Sequence, residues 1–417
     1  MRTLQEAAPP EDLAARARGP AARSQGGGAG MTGPGTTQSA VSRGQQVRAG
    51  RTAGRALPLF VRGRGSGGAR PVYSADELRT LRARHDGAPV LVRGLSGPVL
   101  VLLDRRELRQ FYDADPRDVV TPPTPASGST GAGGIPSCAT VRAVIAEEAR
   151  HLTAATTLDL ARVRHTAARA ARRIVLGDGA AARADERFTG LLGRFRRGGD
   201  RPGAADGHPL LGRTTASHAS HADRAAHTDC EDRALRAMDC VPATLLRTLL
   251  LIAAHPAEQD AAAAEAAAAA GSPTPGELPR LRACVRECLR LYPAVPDLIR
   301  VTRTETVWRG VRHPAGTTVL LPAHFHQRDP EHVPAAHVFV PGRWKTPGAD
   351  EDIRMAPFGH GPDRCPGDRL GLLITTALCA EVLRRRRVTA TRPVLDPPGP
   401  LPVALDPRGI RLALDRR

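Results

Sequence analysis

Ten residues constrain this chain more than any other stretch: Phe358-Gly359-His360-Gly361-Pro362-Asp363-Arg364-Cys365-Pro366-Gly367. They fit the pattern F-x-x-G-x-x-x-C-x-G at every defined position. Gly361 and Gly367 let the backbone approach a flat ligand closely and adopt turns closed to other residues. A loop of this kind leaves amide groups free to point at a thiolate, and such hydrogen bonds tune a metal-bound sulfur. The plain alternative is a small buried cysteine in a glycine-rich turn. What stands elsewhere in the chain decides between them.

Upstream, Leu281 to Tyr292 reads as a helix ended by Pro293. Glu287 and Arg290 lie three apart and therefore share a face. On a solvated surface such a pair is worth little. Its position changes the odds, because it precedes a Tyr-Pro break and is followed by Phe339-Val340-Pro341-Gly342-Arg343-Trp344 before the cysteine. Together these segments resemble the cytochrome P450 family, the haem-thiolate monooxygenases. Residues 339–344 resemble its P-E-R-W/F segment, with Gly342 where the family has Glu. The resemblance implies a haem b whose iron is ligated by Cys365, the one metal ligand. It also implies that Phe358 shields the thiolate, Gly361 and Gly367 shape the loop, and His360 and Arg300 are propionate donors. Glu287, Arg290 and Arg343 become a buried structural triad, since a buried charge left unpaired costs on the order of 3–5 kcal/mol.

The text between and after these motifs agrees. Leu298 to Arg303 alternates as a strand would. Pro314 to Pro322 resembles a family hairpin, and His326-Gln327-Arg328-Asp329-Pro330 resembles its h-R-D-P turn. Arg369 to Arg386 is an apolar-periodic helix whose N-terminal dipole would favour a thiolate at Cys365. The resemblance covers roughly residues 230–417 and is patchier before that.

On the distal side the sequence departs from the family pattern. A long central helix is expected from about Cys230 to His255, ending in a stretch like the family's L-a-x-H-P-x-x-Q. The usual acid then falls on Asp239 and the usual threonine on Cys240, with Thr244 one turn further on. Asp239, Cys240 and Thr244 are the candidate proton-relay residues, since general-acid delivery needs a hydroxyl or a water it holds. Pro242 is expected to bend this helix. The early-helix propionate ligands of the family have no clear counterpart; Arg150 and His151 are the nearest candidates.

Composition excludes several classes. No apolar run approaches the ~20 residues of a membrane span, and the start lacks a signal pattern, so a cytoplasmic protein with no membrane partner is expected. Seven cysteines without paired spacing argue against a disulfide framework. A net charge of +18 invites a nucleic-acid reading. Against it, Lys345 is the sole lysine and aromatics are 3% of residues, without basic interleaving. Nucleic acid is therefore not expected as a partner. Family partners are ferredoxin and ferredoxin reductase; complementary charge would steer the acidic donor to the cysteine side, near Arg364 and Arg369.

Residues 1–70 are rich in Gly, Ser, Ala, Pro and Arg without periodicity and are expected to form a disordered low-complexity tail. Residues 71–417 then form one haem-thiolate catalytic domain, with 198–229 a mobile loop. A helix starting at Ser74, a hairpin around Gly94 and Gly97, a helix from Arg105 to Tyr112, and helical text from Val141 to Leu176 precede the central helix. The fold expected is mainly α with a smaller β-rich part, the cytochrome P450 fold, its long central helix lying over a haem held by the Cys loop. The expected activity is oxidation of a small, mostly apolar molecule in secondary metabolism with O2 and electrons from ferredoxin. Two alternatives stay open: a peroxide-using or rearranging haem-thiolate enzyme, or a non-catalytic haem binder. Substrate and regiochemistry are not readable.

Overall fold

Ser74 starts the first described helix with a capping box: its hydroxyl accepts from the Glu77 amide at 3.1 Å, and the Glu77 carboxylate accepts from the Ser74 amide at 2.8 Å. The computed structural model describes residues 74–94, 97–120, 137–177, 238–271, 277–365, 367–397 and 399–417. The expected tail, the expected loop at 198–229 and the first residues of the expected central helix lie outside that set.

Helix α1 (Ala75–Arg84) buries Leu78 against the hairpin β1 (Val90–Gly94) and β2 (Gly97–Val101). Then come α2 (Arg106–Tyr112), β3 (Val119–Val120), α3 (Cys138–Thr153), β4 (Thr157–Leu158) and α4 (Leu160–Leu176). The text from Val141 to Leu176 is thus two helices. Asp159 caps the second by accepting from the Arg162 amide at 2.9 Å. Between them, Leu158 is drawn into a strand pairing with Leu412. The helices α5 (Val241–Ala253), α6 (Pro256–Gly271) and α7 (Pro279–Leu291) follow. Next are β5 (Leu298–Thr302), β6 (Thr306–Trp308), β7 (Val311–His313), β8 (Thr318–Leu321), α8 (Ala323–Gln327), α9 (Asp368–Arg385), β9 (Arg386–Arg392) and β10 (Arg411–Arg416).

The architecture is mainly helical with small sheets. A five-stranded sheet has the order β1-β2-β8-β5-β3, with β2 and β8 parallel. A second sheet has the order β4-β10-β9. The Pro314–Pro322 stretch is not a hairpin of its own: β7 pairs with β6, while β8 crosses to β5 and β2. The largest core cluster joins α3, α4, α5, α6, α7 and α9. Val241 through Ile252 are all buried, so α5 is covered around its whole circumference and lies inside the bundle, its one charged side chain, Arg247, donating to the Leu405 carbonyl at 2.9 Å. Pro242 does not kink an α-helix here. Met238–Cys240 is a 3-10 turn, and Pro242 occupies the first turn of α5, where its missing amide costs nothing.

The h-R-D-P segment ties the sheet to the helices. Buried His326 shares a hydrogen bond through Nε2 with the Leu102 carbonyl at 3.0 Å, and burial pulls its pKa down to about 4. A histidine depressed in the folded state stays neutral there while the unfolded chain takes up a proton. Its contribution is therefore complete above pH 6.5 and is lost as pH falls toward 4. Stability is expected to drop by on the order of 3 kcal/mol over that window. Urea unfolding at a series of pH values, compared between wild type and His326→Gln, reads the effect; equal slopes would count against it.

Candidate cofactor site around Cys365

The Cys365 loop is shaped by two left-handed glycines, Gly359 at φ +73° and Gly361 at φ +69°. A Cβ on Gly361 would also overlap the carbonyl oxygen of Tyr112, so this position tolerates only glycine. The Cys365 amide donates to the Phe358 carbonyl at 2.8 Å, folding Phe358 under the cysteine, where its ring packs against the main helical core. The Asp368 amide donates to the Cys365 carbonyl at 3.2 Å and leads into α9. Cys365 is half-buried at the N-terminal end of that helix. Burial pushes its thiol pKa up, and the Gly367 amide acting on the sulfur pulls the other way. The sulfur is therefore a protonated thiol in the chain alone, with a donor already in place for the thiolate a metal cation would create.

Opposite stands the entry to α5. The Cε of Met238 lies 3.9 Å from where a Cβ on Gly371 would stand, so this entry rests on the first turn of α9. Cys240 is half-buried; its thiol is pushed up to about 12, first by burial and then by the charge of Cys365, so the two sulfurs share one neighbourhood. Asp239 is exposed. Thr244 is buried, and its hydroxyl donates to the Cys240 carbonyl at 2.9 Å. Asp239 and Thr244 are five positions apart and do not share a helix face.

A third side comes from α2 and β5. Buried Arg300 donates to the Phe111 carbonyl and stacks over the Phe111 ring at 4.4 Å. His360 sits 6.0 Å from the Tyr112 ring, with the Asp113 carboxylate 3.9 Å from its Nδ1, beyond hydrogen-bond reach. That buried Nδ1 has no hydrogen-bond partner among the described residues. The Phe111-Tyr112-Asp113 end of α2 thus braces Arg300, His360 and Gly361 together. Sequence reading missed it, because the contacts span about half the chain.

Glu287 and Arg290 are fully buried on α7. Arg290 donates to both carboxylate oxygens of Glu287, at 2.8 and 3.0 Å, and to the carbonyls of Gln327, Ala336 and Val338. Arg343 Nε (3.1 Å), the Trp344 indole (2.9 Å) and the Val340 amide (3.0 Å) also donate to Glu287. Arg150 and His151 are far from this site. Both are exposed at the C-terminal end of α3, where Arg386 donates to the Thr153 carbonyl at 2.8 Å. That is the opposite end of α9 from Cys365, and 18 residues of helix span roughly 27 Å.

The layout defines a class: a cysteine loop at the start of one core helix faces the entry of another, with a buried Glu–Arg network behind. Residues 229–413 match the family model Cytochrome P450. Over 183 residues the chain is 37% identical to cyclooctat-9-en-7-ol 5-monooxygenase of Streptomyces melanosporofaciens, covering 40% of this chain and 39% of that one. It is 30% identical over 169 residues to thromboxane-A synthase of Mus musculus, covering 40% of this chain and 28% of that enzyme. The matches thus span well under half the length of these curated relatives. The retinoic acid-bound cyanobacterial CYP120A1 has the same fold, with a TM-score of 0.56 at 15% identity over 81% of this chain and 94% of that one. Residues 229–413 thus belong to the cytochrome P450 family. Among the described residues no single helix is long and apolar enough to cross a membrane.

Proposed function

We propose that Cys365 holds haem b by its sulfur and that the chain is a monooxygenase of a small, mostly apolar molecule. O2 is the co-substrate and a ferredoxin with its reductase the electron source. The observation that carries this reading is the Cys365 sulfur, presented at the start of α9 with the Gly367 amide beside it and the α5 entry opposite. The residues fit the group. Gly361 leaves no side chain between the loop and α2, the orphaned Nδ1 of His360 is a ready donor for a carboxylate, and Arg300 supplies a buried cation. When bound, a haem held by the Cys365 sulfur would supply the chemistry that cleaves the O–O bond. A relative named as a monooxygenase of cyclooctat-9-en-7-ol supports an apolar substrate and a place in secondary metabolism. A cytoplasmic setting and docking of an acidic donor near Arg364 and Arg369 complete the reading.

The chain's own residues divide the remaining work. Phe358 shields the sulfur from solvent. Glu287 with Arg290 and Arg343 fixes the segment that leads into the loop. On the distal side Asp239 is in contact with solvent and Thr244 is inside, with Cys240 between them.

One observation favours a second reading. The Thr244 hydroxyl already donates to the Cys240 carbonyl, and a thiol stands where an alcohol would, so neither position offers a free hydroxyl for oxygen activation from O2. A peroxide-driven enzyme needs no such relay, and a non-catalytic haem binder is its limiting case. Purified protein, reduced and exposed to carbon monoxide, is expected to give the red-shifted Soret band of a thiolate-ligated haem; an ordinary band would overturn the haem-thiolate assignment. Turnover of a spin-shifting apolar ligand with reduced ferredoxin supports the monooxygenase, and turnover with hydrogen peroxide alone supports the second reading.

A further inference from the structure

A cleft of about 430 Å³ opens at the end of the bundle remote from Cys365, lined by Arg150, Thr153, Ala154, Arg385, Arg386, Arg416 and Arg417. Five of its seven lining residues are arginines and none is acidic. The surplus of arginine in this chain would scatter such residues over the surface, but here they are set by register. Arg386 at the start of β9 and Arg416 at the end of β10 are direct cross-strand partners. They share a face with the pairs Val388–Leu414 and Ala390–Leu412, whose members are buried except for half-buried Ala390. The two guanidinium side chains therefore leave the core side of the sheet together. Like charges directly opposite one another in an antiparallel pair repel.

The surrounding carboxylates do not answer that repulsion. Glu381 pairs with Arg384 and Arg385, at 2.6 and 3.0 Å. Asp260 is 3.4 Å from both Arg387 and Arg417. Glu147 is held by Arg173 at 2.8 Å and stands 3.8 Å from Arg150. Among the described residues no carboxylate lies within ion-pair distance of Arg386 or Arg416. Arg386 is partly anchored, since its Nε donates to the Thr153 carbonyl. Of the five arginines that line the cleft, Arg150, Arg385 and Arg417 each share a carboxylate with a neighbour, and Arg386 and Arg416 have none among the described residues.

We propose that this cleft binds a small polyphosphate anion: inorganic pyrophosphate or the phosphate chain of a nucleotide. Arginine forks match phosphate oxygens bidentately, and a compact anion of several charges satisfies guanidiniums from two strands and two helix ends at once. The site is separate from the Cys365 site, and its occupant braces β9 against β10 at the point where α3 and α9 end. The inference does not rest on the haem reading.

The test uses the full chain as purified and titration calorimetry with pyrophosphate against a potassium chloride control at equal ionic strength. One-to-one binding and a rise in melting temperature with ligand concentration are expected. Arg150→Gln combined with Arg416→Gln should weaken binding at least about tenfold. Arg364→Gln with Arg369→Gln, at the cysteine end, should leave it unchanged. Should the first pair fail to fold, Arg417→Gln alone takes its place. ADP binding more tightly than pyrophosphate would identify a nucleotide as the occupant, and equal affinity would assign binding to the phosphates alone. No heat beyond the chloride control, or equal affinity in the Arg150/Arg416 variant, overturns the proposal.

Discussion

Glu287→Ala is expected to cost about 3–5 kcal/mol of folding stability, the penalty for stripping a buried cation of its partner. That is a large part of the 5–15 kcal/mol by which domains of this kind are stable at all. Glu287 takes hydrogen bonds from Arg290, Arg343, the Trp344 indole and the Val340 amide. Removing the carboxylate leaves Arg290 fully buried with three backbone carbonyls and no counter-charge. Arg343→Ala should cost less, about 1–3 kcal/mol. In that variant Glu287 keeps its bidentate pair with Arg290, and the lost bonds from Arg343 to Pro334 and Ala335 are exposed. Chemical unfolding followed by far-UV circular dichroism measures both variants. A smaller loss for Glu287→Ala than for Arg343→Ala would mean that the network does not carry the charge balance assigned to it.

The parts of the fold that sequence made legible are those whose physics is local. Gly361 is forced by a left-handed turn and a touching carbonyl, and Glu287 and Arg290 are joined by three residues of helix. The Ser74–Glu77 capping box and the break after Tyr292 are of the same kind. The unread parts depend on contacts far apart in the chain. Nothing near Phe111 signals that Arg300 will stack on its ring, and nothing near His360 signals Asp113. Leu158 looks like one more apolar residue in a helical stretch until β10 claims it. Pro242 departs from the expected kink for a subtler reason. A proline bends a helix only where an amide is needed, and the 3-10 turn at Met238–Cys240 moves the start of α5 so that none is. Arg150 and His151 were attractive by residue type, but α3 runs them to the wrong end of α9.

Cys365→Ala is expected to abolish the thiolate-type carbon monoxide band altogether, while the far-UV spectrum stays that of the wild type. Cys365 is half-buried and its side chain is not part of the core, so its loss empties a ligand position without opening the helical bundle. The neighbouring Cys240 makes the experiment sharper. It shares the site, but it stands at the entry of α5, without the glycine loop and the Gly367 amide that prepare the Cys365 sulfur. Cys240→Ala should therefore keep the band. Persistence in Cys365→Ala and loss only in the double variant would transfer the ligand to Cys240. The pH dependence follows from the same chemistry. Burial raises the Cys365 thiol in the chain alone, and ligation needs the thiolate, so haem uptake releases a proton. Affinity for haem should therefore rise with pH through the neutral range and weaken on acidification, up to tenfold per pH unit. Flat affinity across that range would mean that Cys365 is already ionised before the haem arrives.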